Sequence, residues 1–95
     1  MAEARRATEL KPDHALAYMF WGLALKNLGE PAAAIPPLRA GLGIRPEQFD
    51  LHLGLGQCLA ATGDPAGAEA SLKTAQQLKS DDPRPARELA RLRGR

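Results

Sequence analysis

The sequence predicts an all-α protein built from antiparallel helix-turn-helix repeats stacked into a short α-solenoid. Three observations carry that prediction. The chain matches itself, without a gap, when slid by thirty-four residues. Tyr18 then falls on His52, Trp21 on Leu55, Gly22 on Gly56, Leu25 on Leu59, Gly29 on Gly63, Pro31 on Pro65, Ala34 on Ala68, Leu38 on Leu72 and Ile44 on Leu78. Within residues 15–28 the larger apolar side chains recur at 18, 21, 25 and 28, one stripe of a 3.6-residue period. Each period also carries a glycine followed by an acidic residue and a proline, Gly29-Glu30-Pro31 and Gly63-Asp64-Pro65. Glycine there ends one helix in the left-handed region, and proline, pre-set for a first helical position, opens the next.

Helices are expected near residues 2–11, 14–28, 31–44, 48–61, 65–78 and 84–93. Asp13, Asp64 and Asp82 stand where N-caps belong. In 14–28 the stripe at 18, 21, 25 and 28 is the expected core face, and Gly22 on that stripe lets the partner helix come close. Ala34 supplies the second close contact. The helix over 31–44, "PAAAIPPLRAGLGI", is the weak one. Proline inside a helix costs roughly 3 kcal/mol and glycine about 1 kcal/mol relative to alanine. With Pro36, Pro37, Gly41 and Gly43 inside it, a kink or late start near Pro36 is predicted, with Ile35, Leu38 and Leu42 holding the helix by packing. In 48–61, Cys58 aligns with Ala24 and reads as a small buried thiol. In 84–93, Leu89, Ala90 and Leu92 are expected to face inward.

The residues on this period resemble the tetratricopeptide repeat. Tyr18, Trp21-Gly22, Leu25, Ala34, Leu38 and Pro46 match its signature in residues 15–48. His52, Leu55-Gly56, Leu59, Ala68 and Leu72 match it in 49–82, with Ser80 in place of the closing proline. Residues 1–14 resemble the second helix of a partial repeat, through Ala7, Leu10 and Pro12. Residues 83–95 resemble a capping helix or the first helix of a further partial repeat. The resemblance implies a single domain over 1–95, a right-handed superhelix, and a protein-interaction scaffold that binds a partner polypeptide in its concave groove without catalysis.

Composition narrows the alternatives. Residues 1–83 carry eight Lys/Arg against ten Asp/Glu, whereas 84–95 carry five arginines against Glu88. The chain is thus a mildly acidic body with a cationic tail. One cysteine excludes an internal disulfide framework, and two histidines supply no metal-ligand cluster, so neither metal nor cofactor is expected. No apolar run reaches membrane-spanning length, and the first ten residues, "MAEARRATEL", lack the apolar stretch of a signal peptide. They read as the middle of a helix, which points to a fragment or a downstream start; cytoplasm is the default compartment. Thr8, Thr62, Ser71, Thr74 and Ser80 have no base paired with them by a catalytic spacing. His52 reads as a packing or surface histidine and His14 as solvated. "GLGIRP" and "GLGQC" follow no predicted strand, so they are not phosphate loops.

The groove remains. By the family's pattern, Leu16, Met19, Leu23, Lys26 and Asn27 line it from the first repeat, with Phe20 beside them. Asp50, Leu53, Gln57, Ala60 and Ala61 line it from the second. Met19, Leu23 and Gly54 stand where the clamp for acidic chaperone tails would need lysine or asparagine, which speaks against that role. Arg84, Arg87 and Arg91 share one helical face that the register points into the groove. The expected ligand is therefore a protein or peptide with apolar anchors beside Asp or Glu; a solubilising cap is the plainer reading of the same arginines. Self-association, as a homodimer or by helix exchange, is one alternative, and an accessory repeat region of a larger enzyme is another. Nucleic acid is disfavoured, because the arginines lack interleaved aromatics and offer a small charge footprint.

Overall fold

The computed structural model describes residues 13–94, so the helix expected over 2–11 lies outside the described residues. Five helices and no strand occur among them: α1 (Asp13–Asn27), α2 (Pro31–Ile44), α3 (Phe49–Ala61), α4 (Pro65–Leu78) and α5 (Pro83–Arg93). Each helix packs on its sequence neighbour, and α3 also touches α1 and α5. The odd-numbered helices therefore form one layer and α2 and α4 the other.

The turns follow the residues that predicted them. Gly29 and Gly63 have φ of 84° and 89°, and they are the glycines with positive φ among the described residues. Beyond each, an acidic residue's amide reaches back across the glycine: Glu30 N–H donates to the Leu25 carbonyl at 2.9 Å and Asp64 N–H to Leu59 at 2.8 Å. This six-to-one bond closes a Schellman motif and satisfies a carbonyl the helix end would orphan. Asp64 caps α4 by accepting from Gly67 N–H, and Asp82 caps α5 by accepting from Arg84 N–H, both at 3.0 Å. Glu30 makes no side-chain cap bond. Gly67 explains the difference, since a Cβ there would lie 2.5 Å from the Asp64 carboxylate. Ala33 holds the equivalent place in α2 and carries that Cβ.

Backbones approach closely where the small residues predicted. A Cβ on Gly22 would sit 2.6 Å from Leu38 Cγ and 3.3 Å from the Ala34 carbonyl oxygen. Gly56 repeats this against Leu72 Cγ at 2.7 Å and the Ala68 carbonyl oxygen at 3.3 Å. Ala34, Ala68, Leu38 and Leu72 are fully buried. Cys58 is buried among them, and that burial pushes its thiol above the ordinary value, with the charge of Lys26 opposing in part.

Three expectations need correction. α2 starts at Pro31 and runs unbroken through Pro36 and Pro37 to Ile44, so it has no late start. Those prolines leave the carbonyls of Ala32 and Ala33 without amide donors, and both alanines are exposed, where water can serve. The stripe at 18, 21, 25 and 28 is not the core face of α1: Trp21 is 57% and Leu28 74% exposed, while Tyr18 and Leu25 are half-buried. In the second repeat the same stripe buries Leu55 and Leu59, because α2 covers it there. In α5, Leu89 is buried and Leu92 half-buried as expected, but Ala90 is exposed.

Candidate functional site

The residues expected in the groove separate into three groups. Met19 and Leu53 are buried, so they are core residues and line no open surface. Met19 packs with Leu38, Leu51 and Leu55, and Leu53 with Phe49, Leu72, Ala75 and Leu89. The reason is that α1, α3 and α5 abut directly, which puts these positions in the seams between them. Leu23 joins them in part: a Cβ on Gly54 would lie 2.8 Å from a Leu23 methyl, and Leu23 is half-buried against the core. Leu16, Phe20 and Asn27 stay exposed, Phe20 at 64%, and Asp50 is half-buried.

The arginines also divide. Arg84 turns back to its own helix start, where its guanidinium pairs with Asp82 at 2.9 Å and lies 5.4 Å from the Phe49 ring centre. Lys79 covers the same ring at 5.0 Å. Arg84 holds the Asp82 carboxyl well below its ordinary range, at about 2, through side-chain and backbone hydrogen bonds. Arg87 is exposed. Arg91 alone of the three lines the cleft of this layer.

That cleft, about 320 Å³, is lined by Lys26, Gln57, Ala60, Ala61, Glu88, Arg91 and Leu92. A polar chain crosses it from α1 through α3 to α5. Lys26 Nζ donates to Gln57 Oε1 at 2.6 Å, and Gln57 Nε2 donates to Glu88 Oε2 at 3.2 Å. Glu88 Oε1 faces Arg91 at 3.6 Å. The cation on one side and the carboxylate on the other fix which end of the Gln57 amide faces each, so Gln57 is oriented from both sides. Lys26 keeps two further N–H donors, and Arg91, with its side chain 75% exposed, keeps most of its own. The cleft carries one net positive charge and an excess of donors, which suits a carboxylate or a row of carbonyls.

Glu88 is the member sequence reasoning missed. Two signals mark it: its three-residue spacing from Arg91, and a step of thirty-one residues from Gln57 that equals the step from Lys26 to Gln57. His52 is half-buried and its Nε2 bonds the Pro46 carbonyl at 2.6 Å, a structural contact within the repeat. His14 is half-buried, with its Nδ1 shielded and unpaired among the described residues. No described helix is long and apolar enough to cross a membrane.

Comparison with known proteins fixes the family. The model of the tetratricopeptide repeat matches residues 27–92. The chain belongs to the tetratricopeptide repeat family. No curated protein and no solved structure matches it. The match runs from the end of α1 through α5, so it takes in the whole polar chain from Gln57 to Arg91 and begins one residue after Lys26. Tetratricopeptide repeats generally mediate protein–protein interaction, and the packing glycines and alanines of this chain are the ones that build the repeat. The polar chain is a separate feature laid on that frame, because Lys26, Gln57 and Glu88 occupy no packing position of the period.

Proposed function

We propose that this tetratricopeptide repeat chain binds a partner polypeptide across α1, α3 and α5, and that the cleft at Gln57 receives an acidic side chain or a terminal carboxylate. The observation that carries the reading is the hydrogen-bonded run Lys26–Gln57–Glu88–Arg91. Three helices hold one amide in a fixed orientation, and a pre-oriented polar group binds without first losing rotamer entropy. Exposed Leu16 and Phe20 on α1 offer apolar contact on the same helix as Lys26, in keeping with a ligand that combines apolar and acidic residues. Charge-assisted bonds from Lys26 and Arg91 supply the preference for acid over amide.

A random peptide library displayed and selected on the folded protein tests this. Selected peptides should be enriched in Asp, Glu or a free carboxylate. Their affinity should fall about tenfold or more in the double variant Lys26→Glu and Arg91→Glu, and the fall should shrink at high salt. Arg39→Glu, on the exposed side of α2, should leave binding unchanged. Selected peptides that bind the double variant as well as the parent chain would end the proposal.

A further inference from the structure

The two outer helices of the stack are not alike. On α5, the position that Met19 and Leu53 fill in the earlier repeats is Arg87, and the position of Gly22 and Gly56 is Ala90; both are exposed. That end of the stack presents charge. On α1, the position equivalent to Leu55 is Trp21, which is 57% exposed where Leu55 is 6% exposed. Ala17 and Ala24 are exposed where their equivalents Leu51 and Cys58 are fully buried. Tyr18 and Trp21 stack at 6.3 Å, and with His14 and Ala17 they line an open cavity of about 340 Å³. An aromatic-rimmed notch over an alanine floor fits a helix that approaches on small side chains.

We propose that residues 4–11 of this chain occupy this notch, lying on α1 as a helix in the register that α2 holds on α3. The burial of α2 and α4 states what such a helix must carry. Shifted by thirty-four residues, Leu38 and Leu72 fall on position 4 and Gly41 and Ala75 on position 7, all of them buried. Positions 4 and 7 are both alanine. Arg39 and Lys73, both exposed, fall on Arg5, and exposed Gly43 and Gln77 fall on Glu9. Half-buried Leu42 and Thr74 fall on Thr8. The polar residues of the segment thus take the outward places and its alanines the inward ones.

The contact itself complements in size. A Cβ on Gly41 would lie 2.9 Å from a Leu51 methyl, so the second repeat pairs a glycine with a leucine. The same register sets Ala7 against Ala17, two small residues sharing the space that one large residue fills below. The polar outer face of α5 is a poor occupant for the same notch, which argues against head-to-tail stacking of copies.

Disulfide trapping tests the register. In a Cys58→Ala background, where Ala24 already shows that an alanine fits the period, Ala7→Cys with Ala17→Cys should oxidise to a monomer without free thiol. Glu9→Cys with Ala17→Cys should not. Covalent dimers would assign the notch to a second copy and overturn the proposal, as would no bond at all, or equal trapping of the two pairs. Trp21, the single tryptophan, gives an independent reading. Ala4→Glu with Ala7→Glu should shift its emission to the red while ellipticity stays mostly unchanged, and an unmoved emission would also overturn the proposal.

Discussion

Glycine does three different jobs in this chain, and substitution separates them. Gly56 lies where a Cβ would strike Leu72 Cγ at 2.7 Å, a leucine that is itself fully buried and has nowhere to move. Gly43 has nothing within 4 Å of the same added atom and lies inside α2 without a positive φ. Gly56→Ala should therefore destabilise by about 1–3 kcal/mol, the usual cost of overpacking. Gly43→Ala should stabilise by about 0.5–1 kcal/mol, from helix propensity and a less flexible unfolded chain. Urea titration followed by ellipticity checks both, and equal effects of like sign would contradict the packing described here. Glycines of the third kind, Gly29 and Gly63, have open space but positive φ, so their cost lies in the backbone.

Individual helices are held by different means at their starts. Asp64 and Asp82 cap α4 and α5, whereas α2 relies on Pro31 and on packing. The α5 cap carries a pH signature. The Asp82 carboxyl is lowered from 3.8 to about 2 by Arg84, so its folded-state value is depressed. Its contribution is whole above about 3.8 and is lost as pH falls through about 2. Asp82→Asn keeps an oxygen that can accept from Arg84 N–H but removes the charge. The variant should be less stable than the parent above pH about 4, and the difference should close as pH falls toward about 2. Thermal unfolding across that range measures it, and a difference that does not change with pH would refute the assignment. Such caps were legible from an acidic residue before proline. The uncapped state of Glu30 was not, because it depends on whether the third helical residue is Gly67 or Ala33.

Leu38 ties the first three helices together. Its side chain lies against Gly22 of α1 and Gly54 of α3 while belonging to α2, and it is fully buried. Leu38→Ala should cost about 2–5 kcal/mol, as buried leucines generally do. Since the loss falls on three helices at once, ellipticity and Trp21 emission should move to lower urea together. A loss under about 1 kcal/mol, or a shift in only one signal, would show that the repeats stand more independently than this packing implies. The same interlocking explains the groove. Helices that abut along α1, α3 and α5 close over Met19 and Leu53, so what stays open between them is polar.

The order of the helices, their turns and their close approaches could be read from residues alone, because each rests on geometry within one thirty-four-residue period. Gly29 and Gly63 set a backbone angle, Pro31 and Pro65 a first turn, and Gly22 with Ala34 a contact between adjacent helices. Which apolar face of α1 would be covered could not be read so, since Trp21 and Met19 both sit on apolar stripes and their burial depends on which neighbour lies against each. The cleft needed the fold as well. Lys26, Gln57 and Glu88 come from three helices spaced thirty-one residues apart, off the repeat period, and only the tilt between stacked helices brings them within hydrogen-bonding distance.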